Sequence, residues 1–261
     1  MVDAKTTSKW FFVETAGRKA GHLALGIGKA AGATLTLIGE EFPDHVPLRS
    51  IVDILAGSII KRLADGRSDG VAVIAEGIGA KIASRDLEGL HTASFDPYGQ
   101  VRVGEINIAE TLRRQVTQRL QAFGIHVPIV AKNVGYELRC ADPIPFDMEY
   151  ARDLGACAAT HVITGGRGDM ISLQGGRFVP IPLADVLDPE TGLIRMRMVD
   201  TTSTRYQIAC RYMIRLRAED LRDADECRRL AAVAGVSPAI FAREFRAAIP
   251  ADGLAPASWN G

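Results

Sequence analysis

The chain has 261 residues, 47% of them hydrophobic, which is enough for one large α/β domain or two small ones with a sizeable core. Thirty-one Lys and Arg balance thirty-one Asp and Glu, so no long-range field favours DNA, RNA or an anionic membrane, and any anion site is local. Cys140, Cys157, Cys210 and Cys227 are far apart and form no C-x-x-C pair, the opening MVDAKTTSKW has no apolar signal region, and no window reaches the ~18 consecutive apolar residues of a membrane span. The expectation is a reduced, cytoplasmic protein with no nucleic-acid or membrane partner.

Strand-like and helical runs alternate along the chain. "WFFVET" (residues 10–15) reads as a strand, 19–31 as a helix, "TLTLI" (34–38) as a strand, and "LRSIVDILAGSIIKRLADG" as a second helix. "GVAVIAE" (70–76) is a third strand, 107–122 a helix, "VPIVAKNVG" (127–135) a strand, and 146–164 a helix. Short apolar strands separated by helices predict an α/β fold with a parallel sheet buried on both faces. "GDMISLQGGRFVPIPL" predicts a hairpin turning at Gln174-Gly175-Gly176, helices resume over 204–249, and the tail 251–261 is expected to be loose.

Ligands of parallel sheets collect where strands end and helices begin, because free N–H groups and the helix dipole favour anions there. Three strand ends carry suitable residues. At the first, Gly17 permits close backbone approach and Arg18 supplies a forked, permanently charged donor at the start of a helix, which suits a phosphate. Alternatively, Gly17 makes a tight turn and Arg18 is solvated. At the second, Glu76 closes an apolar strand and can accept hydrogen bonds from ligand hydroxyls; alternatively it caps a helix or pairs with an arginine. At the third, Tyr136 and Arg139 follow a strand and precede a Pro-rich crossing, the alternative being a core tyrosine and an Arg139 paired with Asp142 or Asp147.

Other patterns carry less. "GIGKAAG" lies well inside a helical run and matches neither phosphate-loop pattern, so Gly26 and Gly28 are expected to allow close helix packing. His22, His45, His91, His126 and His161 lack ligand spacing, and no metal site is assigned. The Arg-rich "RMRMVDTTSTRYQIACRYMIRLR" is expected to be an amphipathic helix packed through Ile208, Tyr212 and Leu216.

In order and spacing, these segments resemble the phosphofructokinase family, more particularly its pyrophosphate-dependent type and close ATP-using relatives. "FFVETAGRKAGHLALGIGKAAGA" is similar to the family's Met-Gly-Arg segment and following helix, and "VAVIAEG" to its strand ending in a substrate-binding Glu. "GYELRCADPIPFDMEYARDLG" is similar to the Tyr-x-x-Arg form of a signature that other members write with His and Gln-Arg-Gly-Gly, and "DPETGLIRMRMVDTTSTRYQIACRYMIRL" to a C-terminal segment. The resemblance implies parallel sheets flanked by helices in a Rossmann-like three-layer arrangement with the N-terminal donor domain incomplete. It implies phosphorylation of fructose 6-phosphate to fructose 1,6-bisphosphate in glycolysis, with pyrophosphate or ATP as donor. Gly17 and Arg18 would contact fructose 6-phosphate, Glu76 the sugar, and Tyr136 and Arg139 the sugar and its phosphate; no residue is assigned a catalytic role.

Two departures qualify the resemblance. Ala16 stands where the family has Met, which removes a thioether contact. The Gly-Gly-Asp segment that holds the donor and Mg2+, and the Thr-Ile-Asp-Asn-Asp-like segment that carries the base, have no match in this sequence. The expectations are therefore a chain inactive alone, a truncated or split gene product in origin, and apolar surface exposed between Pro143 and Leu187 around Phe146, Tyr150, Leu154 and Cys157. A homo-oligomer, or pairing with a chain that contains the donor domain, would cover it. The expected organisation is a sugar-phosphate-binding domain over 1–142, a segment over 143–200 that in the family completes the donor domain, a helical segment over 201–250, and the tail. The competing expectation is a non-catalytic sugar-phosphate-binding or regulatory partner of a full-length phosphofructokinase.

Overall fold

The structure, a computed structural model, describes residues 1–88 and 107–249. His91 and the tail 251–261 lie outside the described residues. The chain divides into two units, one made of Met1–Gly135 and Met198–Gly261, the other of Tyr136–Arg197.

In the first unit a short helix α1 (Val2–Thr7) leads into β1 (Trp10–Thr15), followed by α2 (His22–Ala31), β2 (Leu35–Leu37), α3 (Leu48–Ala64), β3 (Gly70–Ala75), α4 (Ser84–Glu88), α5 (Ile108–Gln121) and β4 (Ile129–Val134). The four strands are parallel in the order β2-β3-β1-β4. All of β3 is buried, as its unbroken "GVAVIA" demands, whereas β4 at the sheet's edge is half exposed. Right-handed crossovers send α2 to one face and α3 and α5 to the other. The packing agrees, since α3 lies against α5, whereas α2 packs on β2 and β3. Helix α3 is buried nearly all round from Ile51 to Ile60, which fits its lack of a polar stripe.

The helix expected from residue 19 starts instead at His22. Gly21 donates its N–H to Glu40 Oε1 at 2.9 Å, and this bond holds the loop 16–21 outside the helix. Gly28 does allow close packing, because a Cβ there would fall 1.9 Å from Thr36 Oγ1 on β2. Gly26 does not; it faces open space.

The second unit comprises the single turn α6 (Tyr136–Arg139), α7 (Pro145–Ile163), the antiparallel pair β5 (Asp169–Gln174) and β6 (Arg177–Pro182), and α8 (Leu183–Val186). The hairpin turns at Gly175 and Gly176, whose φ values of 57° and 77° are those a type I′ turn requires. Phe146 and Tyr150 stack in parallel on exposed α7, and His161 meets Asp169 at 2.7 Å. Leu154 and Cys157 are half-buried, but no residue from Tyr136 to Arg197 is buried. The expected apolar exposure is present, and it runs on through Val162, Ile163, Leu193 and Ile194.

The chain re-enters the first unit at Met198 and adds α9 (Thr204–Tyr212), α10 (Ala218–Arg222), α11 (Ala224–Val233) and α12 (Pro238–Phe245). The packing stripe expected here is wrong: Tyr212 is exposed and Ile208 borders on it, while Tyr206, Ala209, Cys210 and Met213 form the buried face. Leu216 is buried but not helical. The helix stops at Met213 because the next residues run extended, with Ile214 N–H donating to Thr34 C=O at 2.9 Å and Arg215 Nη2 to Thr36 C=O at 3.2 Å. Leu216 then fills the notch left by Gly57 of α3, where a Cβ would come within 2.4 Å of it. Among the described residues no helix is long and apolar enough to cross a membrane.

Candidate functional site

Strand register brings the three strand ends noted in the sequence to one line. Thr15 of β1 sits opposite Ala75 of β3 on one side and Val134 of β4 on the other. The helices after β1 and β3 leave for opposite faces, so the C-terminal ends of these adjacent strands form the switch point where open α/β sheets take ligands. The loop after β1 carries Gly17 and Arg18; the one after β3 carries Glu76 and Gly77.

These two loops interlock. Gly17 has φ +139°, a conformation favouring glycine, and its N–H donates to Glu76 Oε1 at 3.0 Å. A Cβ on Gly77 would lie 2.7 Å from Arg18 C=O and 2.8 Å from Gly17 C=O, so the loops run backbone against backbone. Arg18 Nε stands 3.9 Å from Glu76 Oε1, too long for a hydrogen bond, and the Arg18 side chain is 76% exposed. Its guanidinium fork is thus held loosely beside a carboxylate and faces water. Glu76 Oε2 makes no hydrogen bond to another described residue and remains an acceptor. A loosely held cation, a carboxylate oxygen with no partner among the described residues, and exposed backbone at a switch point can bind a ligand with both an anionic group and hydroxyls. Arg18 is placed on a loop ahead of α2 and not at the helix start the sequence suggested.

Tyr136 and Arg139 belong to the second unit, on α6, where Tyr136 is 83% exposed rather than core. Arg139 pairs with neither Asp142 nor Asp147 among the described contacts; Asp147 instead accepts the Ile144 N–H at 3.0 Å.

Two carboxylates behind the site escaped the sequence. Glu40 Oε1 accepts both Gly21 N–H and Val199 N–H at 2.9 Å, which ties the Arg18 loop to the re-entering chain. Glu14, 4% exposed and next to last in β1, accepts the Ala109 N–H at 3.0 Å near the N-terminus of α5. A charge inside the apolar run "WFFVET" was the available signal. Burial pushes the Glu14 carboxyl above its ordinary 4.5; the Ala109 N–H opposes this, and the neighbouring Glu76 charge adds to it.

A carboxyl raised on folding holds a proton that the unfolded chain has released. Stability therefore falls as pH rises from the ordinary carboxylate range through the raised folded value. Glu14→Gln keeps an acceptor for Ala109 and removes the charge. It is expected to melt higher than the parent at pH 8, with the advantage vanishing towards pH 4. Thermal melts across that range check it, and a difference independent of pH would show that the charge is not the cause.

The phosphofructokinase family model matches residues 1–162. A pyrophosphate--fructose 6-phosphate 1-phosphotransferase of Thermotoga maritima is 44% identical over 230 residues, 86% of this chain and 55% of the relative. The Naegleria fowleri protein of the same name is 41% identical over 256 residues, 94% of this chain and 59% of the relative. An ATP-dependent 6-phosphofructokinase of Persephonella marina is 29% identical over 174 residues, 66% of this chain and 42% of that relative. The chain thus spans little more than half the length of the first two. Among solved structures, phosphofructokinase of Saccharomyces cerevisiae superposes with a TM-score of 0.52 at 16% identity, covering 94% of this chain and 26% of the other. The pyrophosphate-dependent phosphofructokinase of Nitrosospira multiformis gives 0.50 at 16% identity, covering 90% and 51%. At such identities these two speak for the fold. With the family model spanning more than half of its residues and the interlocked loops lying within that span, the chain belongs to the phosphofructokinase family.

Proposed function

We propose that the chain is the fructose 6-phosphate-binding part of a 6-phosphofructokinase-type phosphotransferase of glycolysis. The observation that carries this is the interlock at the switch point, where Glu76 fixes Gly17 and leaves Arg18 free to meet a phosphate. In this proposal Gly17 and Arg18 hold the phosphate, Glu76 receives a sugar hydroxyl through Oε2, and Tyr136 and Arg139 act on the sugar and its phosphate. Residues 1–142 serve as the sugar-phosphate domain, and 143–200 belong with a donor domain. The Thermotoga maritima and Naegleria fowleri relatives, named for pyrophosphate, match at higher identity and over more of the chain than the Persephonella marina relative named for ATP, which supports pyrophosphate as donor.

Phosphoryl transfer needs metal-assisted charge neutralisation as well as positioning. Among the described residues no three His, Cys, Asp or Glu group to hold a metal ion, and Glu14 and Glu76 each already accept a backbone N–H. No step is assigned to magnesium at these residues. A partner chain or a second copy supplies the cover for the exposed segment.

The experiment is titration of the chain with fructose 6-phosphate and fructose 1,6-bisphosphate, followed by turnover assays with magnesium and either pyrophosphate or ATP. The expected result is binding without turnover by the chain alone. Failure of either sugar phosphate to bind, or to raise the melting temperature at saturating concentration, sinks the proposal. Turnover by the chain alone at an ordinary enzyme rate, about 1 per second or more, would sink the claim that it is only the acceptor part.

A further inference from the structure

Both ends of the loop that carries Arg18 are held by a carboxylate. At the near end Glu76 Oε1 accepts the Gly17 N–H at 3.0 Å, and at the far end Glu40 Oε1 accepts the Gly21 N–H at 2.9 Å. The two glutamates differ in what they have left over. Glu76 keeps Oε2 for a ligand, whereas Glu40 Oε2 is buried and makes no hydrogen bond to a described residue. Glu40 is therefore closed to a ligand, and a buried acceptor kept in such a place costs stability that its Oε1 bonds must offset.

The support that carries Glu40 is firm. It is a 3₁₀ turn, Gly39–Glu41, just after β2. Glu41 points into the fold, where its carboxylate pairs with the buried Arg215 and accepts the Ile38 N–H at 3.4 Å. Gly39 lies against the other loop of the site, since a Cβ there would stand 3.6 Å from Gly77 C=O. The loops after β1, β2 and β3 thus close a ring, with Gly21 on Glu40, Gly39 on Gly77, and Gly77 on the backbone of Gly17 and Arg18. Gly21 admits no larger residue, because a Cβ would fall 2.4 Å from Ile38 Cβ and 2.9 Å from Glu40 Oε2.

We infer that Glu40 is a positioning residue: through the Gly21 N–H it fixes the far end of the loop so that the Arg18 guanidinium is presented to the phosphate of the bound sugar. This rests on the sugar-phosphate assignment proposed above. The Arg18 side chain has no firm partner of its own, so the backbone beneath it decides where its fork stands. A backbone fixed at both ends before the ligand arrives leaves less to order on binding, and the affinity gains by that difference.

The test compares Glu40→Ala and Glu40→Gln in the full chain, each with and without Arg18→Ala. Titration calorimetry reads fructose 6-phosphate affinity, and amide hydrogen exchange without ligand reads the loop. Glutamine keeps an acceptor for the Gly21 N–H and is expected to bind within about threefold of the parent. Glu40→Ala is expected to weaken binding about tenfold when Arg18 is present and less than about twofold when it is absent. It is also expected to speed exchange at Gly17, the opposite end of the loop, about tenfold, with exchange at Ile74 of β3 unchanged. Equal losses in both Arg18 backgrounds show a general loss of structure and overturn the inference. So does a glutamine variant as weak as the alanine one, or a Gly17 amide that does not respond. Should Glu40→Ala fail to fold, the parent decides: saturating fructose 6-phosphate is expected to slow exchange at Gly21 about threefold, and an unchanged Gly21 overturns the inference. A parent that binds no sugar phosphate, with Gly17 responding to Glu40→Ala as stated, sinks the functional assignment and leaves the hold of Glu40 on the loop standing.

Discussion

Arg18→Ala is expected to weaken fructose 6-phosphate binding by about ten- to hundredfold, the range that loss of a charge-assisted hydrogen bond to phosphate produces. The structure makes this a clean test, because Arg18 contributes little to the fold. Its side chain is 76% exposed and stands 3.9 Å from Glu76, a separation at which a solvated ion pair is worth next to nothing. The melting temperature should stay where it is. Arg18→Lys should fall between parent and alanine, since the ammonium keeps the charge but loses the planar fork. Raising ionic strength should erode the parent's affinity more than the alanine variant's, because the lost interaction is the screened one. Titration calorimetry at two salt concentrations measures all of this. Equal affinities for parent and Arg18→Ala would remove Arg18 from the site, even if sugar phosphate still binds.

Strand ends were legible in the sequence because they are local. A buried parallel strand needs an apolar run, and a loop that must come close needs glycine, so "WFFVETAGR" and "GVAVIAEG" announce both. What lay beyond reach was tertiary. That Gly77 admits the backbone of Gly17 and Arg18 depends on β1 and β3 being neighbours, a fact of strand order that periodicity does not carry. Glu40 looks like an ordinary loop carboxylate until Val199, far along the chain, is seen to donate to it. The stripe through Ile208, Tyr212 and Leu216 failed for a related reason: helical spacing was extended across Met213, where tertiary bonds to Thr34 and Thr36 straighten the chain. The exposed face of α7 was foreseen from what the family resemblance left out.

The geometry of the candidate site is only as firm as the helices behind the sheet, and here one buried carboxylate bears an unusual share. Asp53 on α3 is 2% exposed; it accepts from Arg49 Nε at 2.8 Å and, through its other oxygen, from Arg119 Nε of α5 at 2.7 Å. Arg119 also reaches Glu244 Oε2 at 3.2 Å and lies over the rings of Phe123 and Phe245 at 4.6 and 5.0 Å. The cluster joins α3, α5 and α12, and α5 is the helix whose second residue holds Glu14 behind the site. Asp53→Ala leaves the Arg119 charge buried with one partially exposed partner, an arrangement that costs about 3–5 kcal/mol. Against a typical total of about 5–15 kcal/mol, this takes a large share of the stability of the first unit. The midpoint of chemical denaturation should fall accordingly. Asp53→Leu combined with Arg119→Met removes both charges and restores apolar volume, and it should recover most of the loss, because the penalty lies in the unpaired charge and not in the missing attraction. If the double variant is no more stable than Asp53→Ala, the bond geometry itself holds the helices together and the desolvation account is wrong. If it recovers stability while fructose 6-phosphate affinity stays reduced, the Asp53–Arg119 pair sets the position of α5, and through Glu14 that of the loop bearing Arg18.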